Sequence, residues 1–234
     1  MPPFYTGTRR RVTGVAREPI SYNIRPTTND AITRMKDRAM DLTGLLNTGR
    51  NIRSIGIDDA HYADKSMGSP VKVAGIICAG TRFEGMLWGE VTKDGMLGTD
   101  TLIEMLGTSK FAAQIHLVLI DGLTLGGCDV VDLPRIAAAA NVPAVAVMRK
   151  HPDLDNFRHV VHRLPDAEER WRKVQAAGPI HELNDFVFQV IGEEPKVIAR
   201  ALKKITDQGK VPEPLRLAHL IGSAVMLGQS TNRA

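Results

Sequence analysis

Cysteine is scarce in this chain: Cys78 and Cys128 are the only two in 234 residues, and they share no CxxC spacing. That excludes a disulfide framework and a cysteine-rich zinc site, and both are expected as reduced thiols in core or loop positions. Long apolar runs are also missing, since none approaches the ~20 residues that span a bilayer. The opening Met1-Pro2-Pro3-Phe4-Tyr5 lacks the basic and apolar blocks of a secretory signal. These absences lead to the expectation of a cytoplasmic chain without a membrane partner. There is no Gly-Lys-Ser/Thr of a P-loop, no internal repeat and no low-complexity tract. What is present, 43% apolar and 24% charged residues, suits a globular chain long enough to bury its own core.

Charge is unevenly spread. Residues 1–50 carry nine Lys/Arg against four Asp/Glu, while the remainder carries 21 against 22. The sequence pI of 9.2 therefore belongs mostly to the first 50 residues. They read as a basic arm, irregular through 28, with a possible helix at 29–47 on which Ile32, Met35, Ala39, Leu42 and Leu46 recur at helical spacing. Such an arm suits a polyanion, and it equally suits a solvated tail without a partner. A compact domain is expected over 51–234.

That domain opens with three short apolar stretches, 52–58, 71–78 and 83–91, separated by Gly80 and other turn residues. They read as consecutive antiparallel strands. A helix capped by Thr99 is expected to run to about 113. The run IHLVLI at 115–120 reads as a strand buried on both faces, and PAVAVM at 143–148 as another. Between them, Asp132 and Pro134 open an Ala-rich helix ending at Asn141. Polar helices are expected at 154–162, 167–176 and 194–207, and a last helix at about 214–227. Three antiparallel strands followed by helix–strand–helix–strand is the order of an α/β, RNase-H-like mixed sheet.

Two aspartates end apolar strands, Asp58 after IRSIGI and Asp121 after IHLVLI. Strand C-termini face the open edge where α/β folds bind ligands. If the two strands are neighbours, the carboxylates come close enough to need a cation such as Mg²⁺; otherwise each caps a turn. Asp59 points to the opposite pleat and reads as a turn or supporting group. The loop 121–127 holds Gly122, Gly126 and Gly127, a path for close approach to a phosphate or base or simply a tight connection. Arg149 and Lys150 follow strand 143–148 on the same edge, where Lys150 could neutralise a phosphate. His159 and His162 read as surface residues. His219, near the start of the last helix, either points back at the site or packs in the core.

Taken together, several stretches resemble the endonuclease dU family, an archaeal type related to endonuclease V. They are IGIDD (55–59), KDGMLGTDTLIEML (93–106), LIDGLTLGGCDVVDLP (119–134), PAVAVMRKHPDL (143–154), ERWRKVQAAGPI (169–180) and VPEPLRLAHLIGSA (211–224). The resemblance covers roughly 51–234 and leaves the basic arm outside it. It implies an RNase-H-like fold and hydrolysis of phosphodiesters dependent on Mg²⁺ or Mn²⁺. The implied partner is nucleic acid, DNA before RNA, carrying a deaminated base such as deoxyuridine, with a role in DNA repair. It places Asp58 and Asp121 as metal-binding catalytic acids and Lys150, or Arg149, at a phosphate-binding position. His219 falls where endonuclease V carries an aspartate, and His can also bind metal or act as a base. Related sequences show an Asp two residues after Asp-Gly; here Leu97 follows Asp94-Gly95-Met96, so Asp94 or Asp100 is expected to complete the metal shell. Two rival functions stay open: nucleic-acid binding without catalysis on the same fold, and small-molecule binding through the glycine loop.

Overall fold

β-branched and aliphatic runs build the central sheet of the computed structural model, which describes residues 41–231. A short helix, α1 (Leu42–Asn47), precedes the sheet; the Asp41 carboxylate caps it by accepting from the Gly44 amide at 2.7 Å. Asp41 is itself extended, so the single helix expected at 29–47 is interrupted there. The arm and the part of the expected helix before Asp41 lie outside the described residues.

β1 (Arg53–Asp59), β2 (Pro70–Ala79) and β3 (Arg82–Thr92) form the expected antiparallel meander. Next comes α2 (Gly98–Gly107), shorter than expected, followed by a separate 3₁₀ turn at Ala112–Gln114. Thr99 does not cap α2; its hydroxyl accepts from the Asp132 amide at 2.9 Å and ties α2 to the next segment. β4 (Leu117–Asp121) then lies parallel to β1. The expected glycine loop is a small hairpin, β5 (Thr124–Leu125) and β6 (Asp129–Val130). α3 (Leu133–Ala140) follows, capped by Asp132 and ended by Asn141 at φ +51°. β7 (Ala144–Met148) pairs parallel with β4.

Beyond β7 stand α4 (Leu154–Val161) and α5 (Ala167–Ala176). The sequence reading placed no strand between 177 and 193, yet β8 (His181–Leu183) and β9 (Phe186–Ile191) extend the sheet antiparallel beside β7. α6 (Pro195–Lys204) and α7 (Glu213–Leu227) complete the chain, and the sheet order is β3-β2-β1-β4-β7-β9-β8. This is the α/β mixed sheet expected from the sequence, with two more antiparallel strands at its far edge.

Both faces of the sheet are covered. Ile55, Ile57, Val118 and Ile120 pack under α2 and α3, while Leu117, Leu119, Val145 and Phe188 pack under α1, α6 and Leu215 of α7. β4 thus sends alternate side chains into two cores, as an uninterrupted apolar strand should. Both cysteines are free, with Cys78 buried. No helix among the described residues is long and apolar enough to cross a membrane.

Candidate metal centre and its cleft

The adjacency of β1 and β4 decides the site. Ile57 pairs with Ile120 in parallel register, so Asp58 and Asp121 leave the same sheet edge side by side. α7 brings the third group. It runs over β1 at Gly56, where an added Cβ would lie 2.4 Å from the Pro214 carbonyl carbon and 2.5 Å from the Leu215 amide. Only glycine permits that backbone contact, and with α7 so close His219, one turn further on, reaches the strand end. Its Nδ1 lies 3.0 Å from Asp58 Oδ2. Ligand atoms of Asp58, Asp121 and His219 all lie within 4.8 Å of one another.

These groups sit at the foot of a cleft of about 350 Å³, lined also by Asp59, His61, Tyr62, Lys65, Arg149, Ser223 and Thr231. Arg149 Nη2 donates to Asp121 Oδ2 at 3.1 Å, so the cation after β7 that faces the acids is Arg149. Lys150 is exposed and does not line the cleft. Thr231 Oγ1 stands 3.2 Å from His219 Nε2.

Electrostatics mark the site as short of positive charge. Burial, and then Asp58, push the Asp121 carboxyl above the usual range, against the lowering pull of Arg149 and His219. The Asp58 hydrogen bond holds the His219 imidazole above its ordinary value against the effect of burial. Asp59, read from the sequence as a supporting group, accepts from the Gly126 amide at 2.6 Å. Burial foremost, then Asp58, raise its pKa from 3.8 to about 6. Two carboxylates and an imidazole within reach of one ion, with a further acid behind them, fit a hard divalent cation.

The raised Asp59 carries a stability consequence. The folded chain keeps the proton that the unfolded chain has already lost, so stability falls as pH rises from about 4 to about 6. Asp59→Asn removes that cost and keeps an acceptor for Gly126. It is expected to stabilise the metal-free chain at pH 7.5 by up to about 3 kcal/mol, and hardly at all at pH 3.5. Urea unfolding in EDTA at both pH values checks this.

The other sequence candidates lie elsewhere. Asp94, in a left-handed turn at φ +51°, accepts from the Cys128 amide at 2.9 Å and pairs with Lys93. Asp100 is paired with Arg135 at 2.6 Å on the surface. Neither belongs to the acid–histidine cluster. Gly126 and Gly127 turn the β5–β6 hairpin against the Thr92–Asp94 backbone and side chains: a Cβ would lie 3.1 Å from the Thr92 oxygen and 2.6 Å from Asp94 Oδ1, respectively. Gly122 (φ +72°) is open to solvent, and its amide donates to the Val147 carbonyl at 2.7 Å. His159 and His162 sit on the exposed face of α4, away from the cluster.

One buried residue escaped the sequence reading. Arg170, 1% exposed, donates to the carbonyls of Pro165, Gly95, Cys128 and Asp94 at 2.5–3.0 Å. It fastens α5 to both the hairpin and the loop before α2. Its only sequence signal was membership in the ERWRK stretch, which by pattern is a solvated helix face.

A mixed sheet whose adjacent parallel strands carry acids at one edge, joined there by a helix-borne histidine, belongs to the RNase-H-like fold class. The family model for endonuclease dU matches residues 50–226, and the chain belongs to that family. A UPF0215 protein of Methanothermobacter thermautotrophicus is 36% identical over 187 residues, covering 78% of this chain and 92% of the relative. One of Pyrococcus furiosus is 32% identical over 186 residues, covering 78% and 96%. The crystal structure of a protein of unknown function from Archaeoglobus fulgidus superposes with a TM-score of 0.70 at 36% identity, covering 74% of this chain and 98% of that one. Human endonuclease V shares the fold at 14% identity and a TM-score of 0.50, covering 83% and 93%. The family is that of an endonuclease, and the fold is the one shared with endonuclease V.

Proposed function

We propose that the chain is a metal-dependent endonuclease that hydrolyses phosphodiesters in nucleic acid containing a deaminated base such as deoxyuridine, in DNA repair. The observation that carries this reading is the cluster of Asp58, Asp121 and His219 at the C-terminal edge of two parallel strands, in a member of the endonuclease dU family. Mg²⁺ or Mn²⁺ held by these three would supply charge neutralisation for the phosphate and a lowered pKa for water.

The chain's own residues do the rest. Asp58 accepts from His219 Nδ1 and fixes the imidazole, leaving Nε2 on the cleft side as the nitrogen that would hold the metal. Water attacks phosphorus, the bond to the leaving sugar oxygen breaks, and the proton the water gives up ends on that oxygen. Arg149 turns from Asp121 toward the incoming phosphate, giving a planar donor set for its oxygens. Lys150 extends the contact along the strand, Gly122 leaves open space for the backbone's approach, and the basic residues of the first 50 add salt-sensitive affinity. A deaminated base is extruded from its stack and read in the cleft.

His219 gives a discriminating test, because endonuclease V is implied to carry an aspartate there. His219→Ala is expected to weaken Mn²⁺ binding by at least about 100-fold, since losing a group that only supports a metal ligand already costs about 10–100-fold. His219→Asp should recover most of that affinity. Calorimetric titration with Mn²⁺ reads both; equal affinity for His219→Ala and the unaltered chain would remove His219 from the site. The position of Asp94 and Asp100 outside the cluster favours a second reading, nucleic-acid binding without hydrolysis. Tight Mn²⁺ binding with no strand scission would select it.

A further inference from the structure

The loop between β1 and β2 puts an aromatic ring and a lysine into the cleft that the mechanism above leaves unused. Tyr62 and Lys65 both line it, beside Asp58 and Asp59. Tyr62 is half-buried and packs against the main core, and the Lys65 ammonium sits over its ring, 3.8 Å from the centroid. Among the described residues lining the cleft, it is the one benzene-type ring. The loop is pinned on both sides of the pair. The Ala60 amide donates to the Lys72 carbonyl at 2.7 Å, and the Asp64 carboxylate accepts from the Ser66 amide at 2.8 Å while its carbonyl accepts from the Ser69 hydroxyl at 3.1 Å. The Lys65 backbone is thereby held, while its exposed side chain is free to swing.

We propose that Tyr62 is the platform on which a nucleobase next to the scissile phosphate stacks, and that Lys65 leaves the ring for the adjoining phosphate when the base arrives. The inference rests on the nuclease reading and deepens it. An exposed cation–π contact is the weaker partner for the ring, because the ammonium is well hydrated when released. A base offers a full π-face and brings with it a phosphate that Lys65 can neutralise. Stacking accepts any base, so Tyr62 adds affinity and positions the strand over Asp58 and Asp121 without choosing the lesion. With Arg149 beside Asp121, Lys65 gives the cleft a second cation, and the strand backbone runs between the two.

The test is oligonucleotide affinity in EDTA, where no cleavage occurs, measured by fluorescence anisotropy on the full chain. Because Tyr62 also packs on the core, the informative variant is Tyr62→Leu, which keeps an apolar side chain and removes the π-face; Tyr62→Phe keeps both. Tyr62→Leu is expected to weaken binding of a single-stranded oligonucleotide about tenfold or more, and Tyr62→Phe by less than about twofold. Lys65→Gln should lower the slope of log affinity against log salt by about one. Unchanged affinity in Tyr62→Leu, with the intact chain binding and cleaving, overturns this inference alone. An unchanged slope in Lys65→Gln overturns the move of Lys65. Failure of the intact chain to bind any oligonucleotide overturns the nuclease reading as well.

Discussion

Asp58→Asn and Asp121→Asn are each expected to abolish strand cleavage and to leave the fold intact. Asp121 ends β4 behind four buried residues, Asp58 closes the buried run Ser54–Asp58 of β1, and each contributes an oxygen to the one cluster of three such groups among the described residues that could hold a cation. Removing a group that merely supports a metal ligand costs about 10–100-fold, so loss of a direct ligand should cost at least about 100-fold in activity. The fold should tolerate both changes because asparagine keeps shape and an acceptor oxygen: in Asp58→Asn the amide oxygen can still accept from His219, and in Asp121→Asn from Arg149. In the metal-free chain the loss of one negative charge should raise the thermal midpoint slightly, since the acids sit against each other and against Asp59. Full activity of either variant in Mg²⁺ would remove the two-carboxylate site.

The second large effect lies at Arg170 and concerns stability. Its guanidinium is shared among four carbonyls, and its chain separations of 42, 75 and 76 residues show that it ties α5 to segments distant in sequence. Arg170→Ala leaves those buried carbonyls without donors and opens a cavity. Hydrogen bonds from a charged donor are worth about 1.5–3 kcal/mol each and are not additive, so a loss of roughly 3–5 kcal/mol is expected. For a chain of this size that lowers the thermal midpoint on the order of 10 °C. Arg170→Lys should recover only part, since one ammonium cannot span the same fork of acceptors. Differential scanning calorimetry of the three chains decides it; a shift of a degree or two for Arg170→Ala would show that the carbonyls find other donors. Because the hairpin held by Arg170 supplies the Gly126 amide to Asp59, activity should also fall, through the cleft's shape.

Much of the sheet could be read from the residues because β4 and β7 are uninterrupted apolar runs bounded by Asp or Pro, and β1 is a short apolar stretch that runs into two acids. For the same reason the two strand-end acids were legible, and chain order alone implied that they might meet. β8 was hard to see because HEL is only three residues long, whereas β9, FVFQVI after the left-handed Asn184-Asp185 turn, carries a hairpin signal that the reading passed over. The expected helix to about 113 failed at Gly107, because nothing in the spacing of Leu102, Ile103 and Leu106 marks where α2 ends. His219 was visible as a candidate, but its approach to Asp58 depends on the close contact at Gly56, 163 residues earlier in the chain, which no local pattern encodes. Arg170 and Asp59 share that difficulty. Arg170, a charged residue in a charged stretch, reads as solvated, and Asp59 as a turn or supporting group; only the tertiary contacts show that the first is sealed and the second pushed toward neutrality.

The most direct measurement is cleavage of end-labelled oligonucleotides carrying deoxyuridine, deoxyinosine, deoxyxanthosine or no lesion, with Mg²⁺ or Mn²⁺ and with EDTA. The expected result is scission near the deaminated base that requires the metal, is absent in EDTA, and disappears in Asp58→Asn. Intact oligonucleotides under every metal condition, from a folded chain that binds them, would contradict the assignment of hydrolysis to the Asp58–Asp121–His219 cluster.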